Sequence, residues 1–200
     1  MKKVNLIVLV VAISIAQACN SGTNNDSVDA AKEANDQKDS AELLKKNDTS
    51  MIATTMPVDK DAADFAVEAA NGGMMEVELG KYAQQNAMSE RVRNFGAMMA
   101  KDHSGVNEEL KSISSAKNIT LPATIGEGAQ KDMADLMKKK GKDFDKAYMA
   151  MMLDDHKKDV KAFEKAAKEC KDPEIRSFAG KTLPVLLSHL DSSKAITGKN

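Results

Sequence analysis

Three histidines occur in this chain of 200 residues, and two of them close nearly identical heptads. AMMAKDH spans residues 97–103 and AMMLDDH spans residues 150–156; five of the seven letters agree and both end in Asp-His. Each histidine (His103, His156 and His189) lies on an apolar stripe with helical spacing, and a fourth stripe carries Glu76. Three imidazoles and a carboxylate can coordinate one divalent transition metal, and Fe, Mn, Zn and Cu all accept such donors. A cation would also remove the cost of burying Glu76, several kcal/mol for a lone carboxylate unless it takes a proton. The competing reading is a hydrogen-bonded polar layer inside an ordinary core.

The flanking residues bear on the choice. Asp102 and Asp155 precede two of the histidines, but neighbours on a helix diverge by about 100°, so they suit a supporting shell or pairing with Lys101 and Lys158 better than the same metal. Asp159, one turn beyond His156, is the reserve ligand. Met74, Met75, Met98, Met99, Met151 and Met152 suggest soft copper chemistry, yet methionine is also an adaptable core filler, and packing is the reading adopted.

Positioning these groups requires helices. Nothing between residues 61 and 197 alternates as a half-buried strand would, and glycine and proline sit mainly at junctions. The first helix, about 61–87, has an apolar face of Phe65, Ala69, Gly72, Glu76, Leu79 or Gly80, Ala83 and Ala87. The second, about 89–117, is capped by Ser89 and presents Val92, Phe95, Met99, His103, Val106, Leu110 and Ile113. A loop and a short helix, about 127–140, follow. The third long helix, about 142–169, presents Phe144, Tyr148, Met152, His156, Val160, Phe163 and Ala167. Asp172 and Pro173 open the fourth, which shows Ile175, Phe178, Thr182, Leu186, His189 and Ile196 and contains Pro184. Heights follow by counting from the hairpin turns: Glu76 from Met88, His103 from Ser89, His156 from Glu169 and His189 from Pro173. At about 1.5 Å per residue all four lie roughly 18–24 Å along their helices, a common height. Four long helices with a crossover link predict an all-α, ferritin-like four-helix bundle.

An internal repeat supports two similar hairpins. SERVRNFG at Ser89 matches DPEIRSFA at Asp172, and the same offset places Phe65 on Tyr148. The heptads are related by a shorter offset, which joins helices that the hairpin repeat does not equate.

The ends suggest an address. Lys2, Lys3, an apolar run and small residues leading to Cys19 read as a signal peptide over residues 1–18. Cysteine at that point resembles a bacterial lipoprotein signal. It implies lipid on Cys19, and Asn20 by analogy favours an outer-membrane lipoprotein facing the periplasm over a soluble periplasmic protein. Residues 19–60 are polar and lack aromatics, which predicts a disordered linker of roughly 35 Å root-mean-square reach. Net charge is −1 with both signs interspersed, which excludes a nucleic-acid surface. With Cys19 used, Cys170 has no intramolecular partner.

Read together, NGGMMEVELGKYA, FGAMMAKDH, FDKAYMAMMLDDH and FAGKTLPVLLSHL resemble the exported family named domain of unknown function 4142, over about residues 62–196. The resemblance implies a ferritin-like fold and export, and supplies no substrate. A di-iron bundle would need Glu-x-x-His on two helices, but Ala100, Leu153 and Leu186 stand at the glutamate positions before the three histidines. One metal suits these residues better than two. No nucleophile elbow, Cys-His pair or phosphate loop is present, so no catalytic residue is assigned. The two readings carried forward are a lipid-tethered bundle binding one metal and a non-enzymatic envelope module with a hydrogen-bonded histidine core.

Overall fold

The computed structural model describes residues 26–45 and 58–198. The expected signal peptide and the expected lipidation site Cys19 lie outside them. The described residues form six helices and no strand: α1 (Ser27–Lys45), α2 (Lys60–Asn86), α3 (Glu90–Ala116), α4 (Glu127–Met137), α5 (Gly141–Glu169) and α6 (Pro173–Thr197). None is long and apolar enough to cross a membrane.

Local chemistry sets the ends. The Asp59 carboxylate accepts the Ala62 amide at 2.9 Å and opens α2, and Asp172 accepts the Glu174 and Ile175 amides at 3.0 Å beside Pro173 to open α6. Ser89 occupies the cap position of α3, but its hydroxyl makes no capping bond. Asp145, near the start of α5, accepts the Met88 and Ser89 amides instead, at 2.9 and 2.7 Å. A carboxylate is the stronger acceptor, and it ties the α2–α3 turn to α5.

The long helices form two hairpins, α2 with α3 and α5 with α6, which meet through α2–α5 and α3–α6. At the first turn Arg93 donates to the carbonyls of Ala87 and Met88, at 3.0 and 2.7 Å; at the second Arg176 donates to that of Cys170 at 2.9 Å. Ala87 and Cys170 are themselves related by the hairpin offset, as Arg93 and Arg176 are, so the sequence repeat is a repeat of structure. Pairs related by the heptad offset meet across the interior. The rings of Phe95 and Tyr148 lie 6.1 Å apart and those of His103 and His156 5.6 Å apart, so α3 and α5 run parallel and in register.

Two apolar lobes make the core. One holds Leu110, Phe163, Phe178 and Leu186; the other holds Phe95, Met99, Phe144, Tyr148 and Met152. The histidines lie between them. The α2 stripe follows the sequence expectation at Glu76, Leu79, Gly80, Ala83 and Ala87, all buried, and departs from it in the first half of the helix. Ala62, Ala63, Ala66, Val67, Ala70 and Gly73 are buried, while Phe65, Ala69 and Gly72 are only partly so. Small residues let α2 approach its neighbours closely: a Cβ on Gly80 would stand 2.7 Å from the Gly96 carbonyl oxygen.

Within the stretch expected as a disordered linker, where the sequence allows at most a transient helix with a thin apolar face, residues 27–45 form α1. Its apolar contact is thin, Val28 and Ala31 against Val67. Polar docking supplies the rest. Asn35 exchanges two hydrogen bonds with the Thr120 backbone, at 2.9 and 2.7 Å, and Lys38 donates to the Asn118 carbonyl and the Thr120 hydroxyl, both at 2.6 Å. An argument from apolar surface alone cannot register such contacts.

Candidate metal centre

α2, α3, α5 and α6 each send one of the sequence-nominated residues to a single layer. Glu76, His103, His156 and His189 are all buried, none more than 3% exposed. The three ring centroids form a near-equilateral triangle with sides of 5.2, 5.3 and 5.6 Å. The helical stripes deliver this convergence, and the parallel register of α3 and α5 levels His103 with His156.

Each imidazole has one nitrogen committed to an acceptor. His103 Nδ1 is 3.0 Å from Glu76 Oε2; His156 Nδ1 is 2.9 Å from the Met152 carbonyl; His189 Nε2 is 3.0 Å from Asp102 Oδ2. Facing an oxygen acceptor, each of these nitrogens carries the hydrogen and donates it, which leaves the other nitrogen of a neutral ring with a lone pair. His103 Nε2 is buried with no partner. His156 Nε2 and His189 Nδ1 face one another at 3.3 Å. Two lone pairs in contact repel. Relief requires an added proton or a cation between them.

Burial opposes the proton. It drives His156 down to about 4, against the pull of Glu76, and lowers His189 despite the hydrogen bond to Asp102. Burial also works against the Glu76 charge, yet the neighbouring imidazoles, His103 foremost, hold that carboxyl below its usual range. The layer thus gathers three imidazoles, each with one nitrogen backed by an oxygen, and His156 and His189 turn their remaining nitrogens toward one another. One nitrogen from each histidine lies within 4.8 Å of the others.

Glu76 orients His103 and stands 3.4 Å from His156 Nδ1, behind the rings, and its second grouping is with His156 and Asp159. Asp102 serves the supporting shell through His189. Sequence reasoning missed Asn107, whose Oδ1 is buried without a partner, and the unbonded Tyr148 hydroxyl. Asn107 stands one turn beyond His103, a spacing that could have found it. The methionines Met99 and Met152 are packed in the apolar lobe.

Two spaces adjoin the layer. A chamber of about 20 Å³, enough for one water or ion, is lined by Glu76, His103, Asn107 and Asp159 among others. Beyond Glu76 and Asp159 a cavity of about 400 Å³ lies between α2, α4 and α5.

No curated protein and no solved structure matches the chain. A family profile does match, over residues 47–196, and the chain therefore belongs to the family described as Domain of unknown function (DUF4142).

Proposed function

We propose that this protein is an exported, lipid-anchored bundle of ferritin-like type that holds one divalent transition metal through His103, His156 and His189, with Glu76 beside them. The observation that carries the reading is the pair of facing nitrogens, His156 Nε2 and His189 Nδ1, 3.3 Å apart in a buried layer. Two nitrogens bound to one tetrahedral ion at about 2.0–2.1 Å lie about 3.3 Å apart. The repulsive contact is thus also an edge of a coordination tetrahedron. Glu76, the Met152 carbonyl and Asp102 each accept from the far side of a ring, an outer shell typical of histidine metal sites. Three imidazoles favour Zn, Cu or Fe over Mn, which prefers oxygen. Without a bridging carboxylate pair the site suits holding or sequestering one ion rather than two-iron oxygen chemistry.

Metal content of the purified protein tests this. Wild type is expected to carry close to one equivalent and His156→Ala and His189→Ala close to none, with helix content confirmed by circular dichroism. Glu76→Gln is expected to retain metal with affinity lowered about 10–100-fold. Equal trace metal in wild type and both alanine variants would refute the reading and leave the hydrogen-bonded core.

A further inference from the structure

The cavity between α2, α4 and α5 carries five carboxylates in its lining (Glu68, Glu76, Asp132, Asp155 and Asp159); Asp155 is paired with the lining Lys158 at 3.2 Å and Glu68 with Lys32 of α1, which leaves an excess of negative charge toward the inner end. A cleft lined by one sign of charge concentrates counter-ions. Its inner end is defined by a buried, unsatisfied atom. Glu76 is 2% exposed, and its Oε1 has no hydrogen-bond partner. That oxygen is 3.4 Å from His156 Nδ1, whose hydrogen goes to the Met152 carbonyl at 2.9 Å. Asp159 makes no hydrogen bond to any described residue and borders both the cavity and the small chamber beside the histidines. Glu76, His156 and Asp159 each bring one possible ligand atom within 4.8 Å of the others.

The hairpin repeat adds an independent observation. Glu76 and Asp159 are separated by the same offset that relates the two turns, so the two hairpins place a carboxylate at equivalent positions and turn both toward one space. Glu76 Oε1 and the Asp159 carboxylate, so close, repel unless a proton or a cation lies between them. Burial, reinforced by the Glu76 charge, accordingly pushes the Asp159 carboxyl up to about 8.

We infer that this acidic cavity is the passage by which a divalent cation reaches and leaves the histidine layer, with Glu76 Oε1 and Asp159 as an oxygen-ligand station at its inner end. The inference rests on the histidine seat proposed above. A cation entering from solvent exchanges water for carboxylate oxygens at the station and then for imidazole nitrogens in the layer. Oxygen donors hold borderline metals less firmly than imidazoles, so the station passes the ion inward rather than retaining it.

Gly72 supplies the test. It lines both spaces, and a Cβ there would meet nothing within 4 Å, so Gly72→Leu fits the helix and fills the passage. Gly105 is equally open but exposed on α3, away from the cavity, and Gly105→Leu is the control. Cobalt(II) uptake by the metal-free full chain is followed by its visible absorption, and its removal by a chelator chase. Wild type, Gly72→Leu and Asp159→Asn are expected to reach the same one-equivalent endpoint and spectrum. Both variants are expected to load and unload at least tenfold more slowly, with Gly105→Leu at the wild-type rate. Wild-type rates in both variants overturn the passage and leave the seat standing. A wild type that takes up no cobalt overturns the seat and the passage with it. If Gly72→Leu fails to fold, Asp159→Asn decides alone.

Discussion

Asp159 and His156 belong to one cluster with Glu76 and have opposite proton preferences. Burial lowers His156 from 6.5 to about 4. Between those values the unfolded chain binds a proton that the folded one refuses, so this contribution to stability is complete above pH 6.5 and is lost as pH falls. Burial and then the Glu76 charge raise Asp159 from 3.8 to about 8. Its contribution is complete below the ordinary carboxylate range and is lost as pH rises toward 8. Asp159→Asn removes the second dependence and keeps the first. Urea denaturation of the metal-free variant is expected to show a gain of roughly 1–3 kcal/mol over wild type at about pH 8 that vanishes near pH 4. A variant no more stable at the higher pH would mean that the Asp159 charge is satisfied in the folded protein. Sequence spacing nominated both residues, but nothing in a spacing says which nitrogen of a ring faces which oxygen. Which group each ring nitrogen and each Glu76 oxygen faces therefore emerged only from distances.

At the scale of helices, close approach is the property most exposed to mutation. A Cβ on Gly96 would meet the Gly80 carbonyl oxygen at 2.7 Å and Ala83 Cβ at 2.9 Å. Backbone atoms cannot swing aside as a flexible side chain can, so Gly96→Ala must push α2 from α3. Its expected cost is about 1–3 kcal/mol despite the better helix propensity of alanine. Gly105→Ala, with no neighbour to disturb, is expected to gain roughly 0.5–1 kcal/mol. Thermal unfolding of the two variants separates the effects by sign. The sequence made the stripes of α3, α5 and α6 legible because each mixes large apolar residues with polar ones at helical spacing. It misplaced the inward face only in the first half of α2, because alanine and glycine are weak markers of burial: Ala62, Ala66 and Ala70 lie deeper than Phe65, whereas Glu76, Leu79, Gly80, Ala83 and Ala87 are buried as expected. The two repeats carry different information. The longer offset equates the hairpins, whereas the shorter one records register, bringing His103 against His156 across the core.

At the scale of the whole molecule, α1 changes how the bundle would hang from a membrane. A linker flexible from residue 19 to residue 60 would let it wander roughly 35 Å. With α1 docked, only residues 20–26 separate the proposed lipid on Cys19 from the first helix, and a segment that short spans at most roughly 25 Å. The dock grips the loop after α3 at Thr120 and the approach to α4, where Ser27 Oγ accepts the Thr124 amide at 3.1 Å. The Gly126 amide, at the start of α4, is held in turn by Asn71 Oδ1 of α2 at 2.8 Å. α4 lines the acidic cavity through Ala129 and Asp132, so α1 braces one wall of the proposed passage from outside the segment that matches the family profile. Asn35 is the point of leverage: it is 3% exposed, and both of its side-chain polar atoms are bonded to one residue. Asn35→Ala leaves the Thr120 amide and carbonyl without those partners, at an expected cost of about 1–3 kcal/mol to the docked state. Hydrogen exchange should then accelerate at the Thr120 and Thr124 amides while the amides of α3 and α5 around His103 and His156 stay protected, and metal stoichiometry should be unchanged. Acceleration spreading into α3 and α5 would instead make α1 part of one cooperative unit with the histidine layer, and the anchor, the brace and the site could no longer be treated as separable.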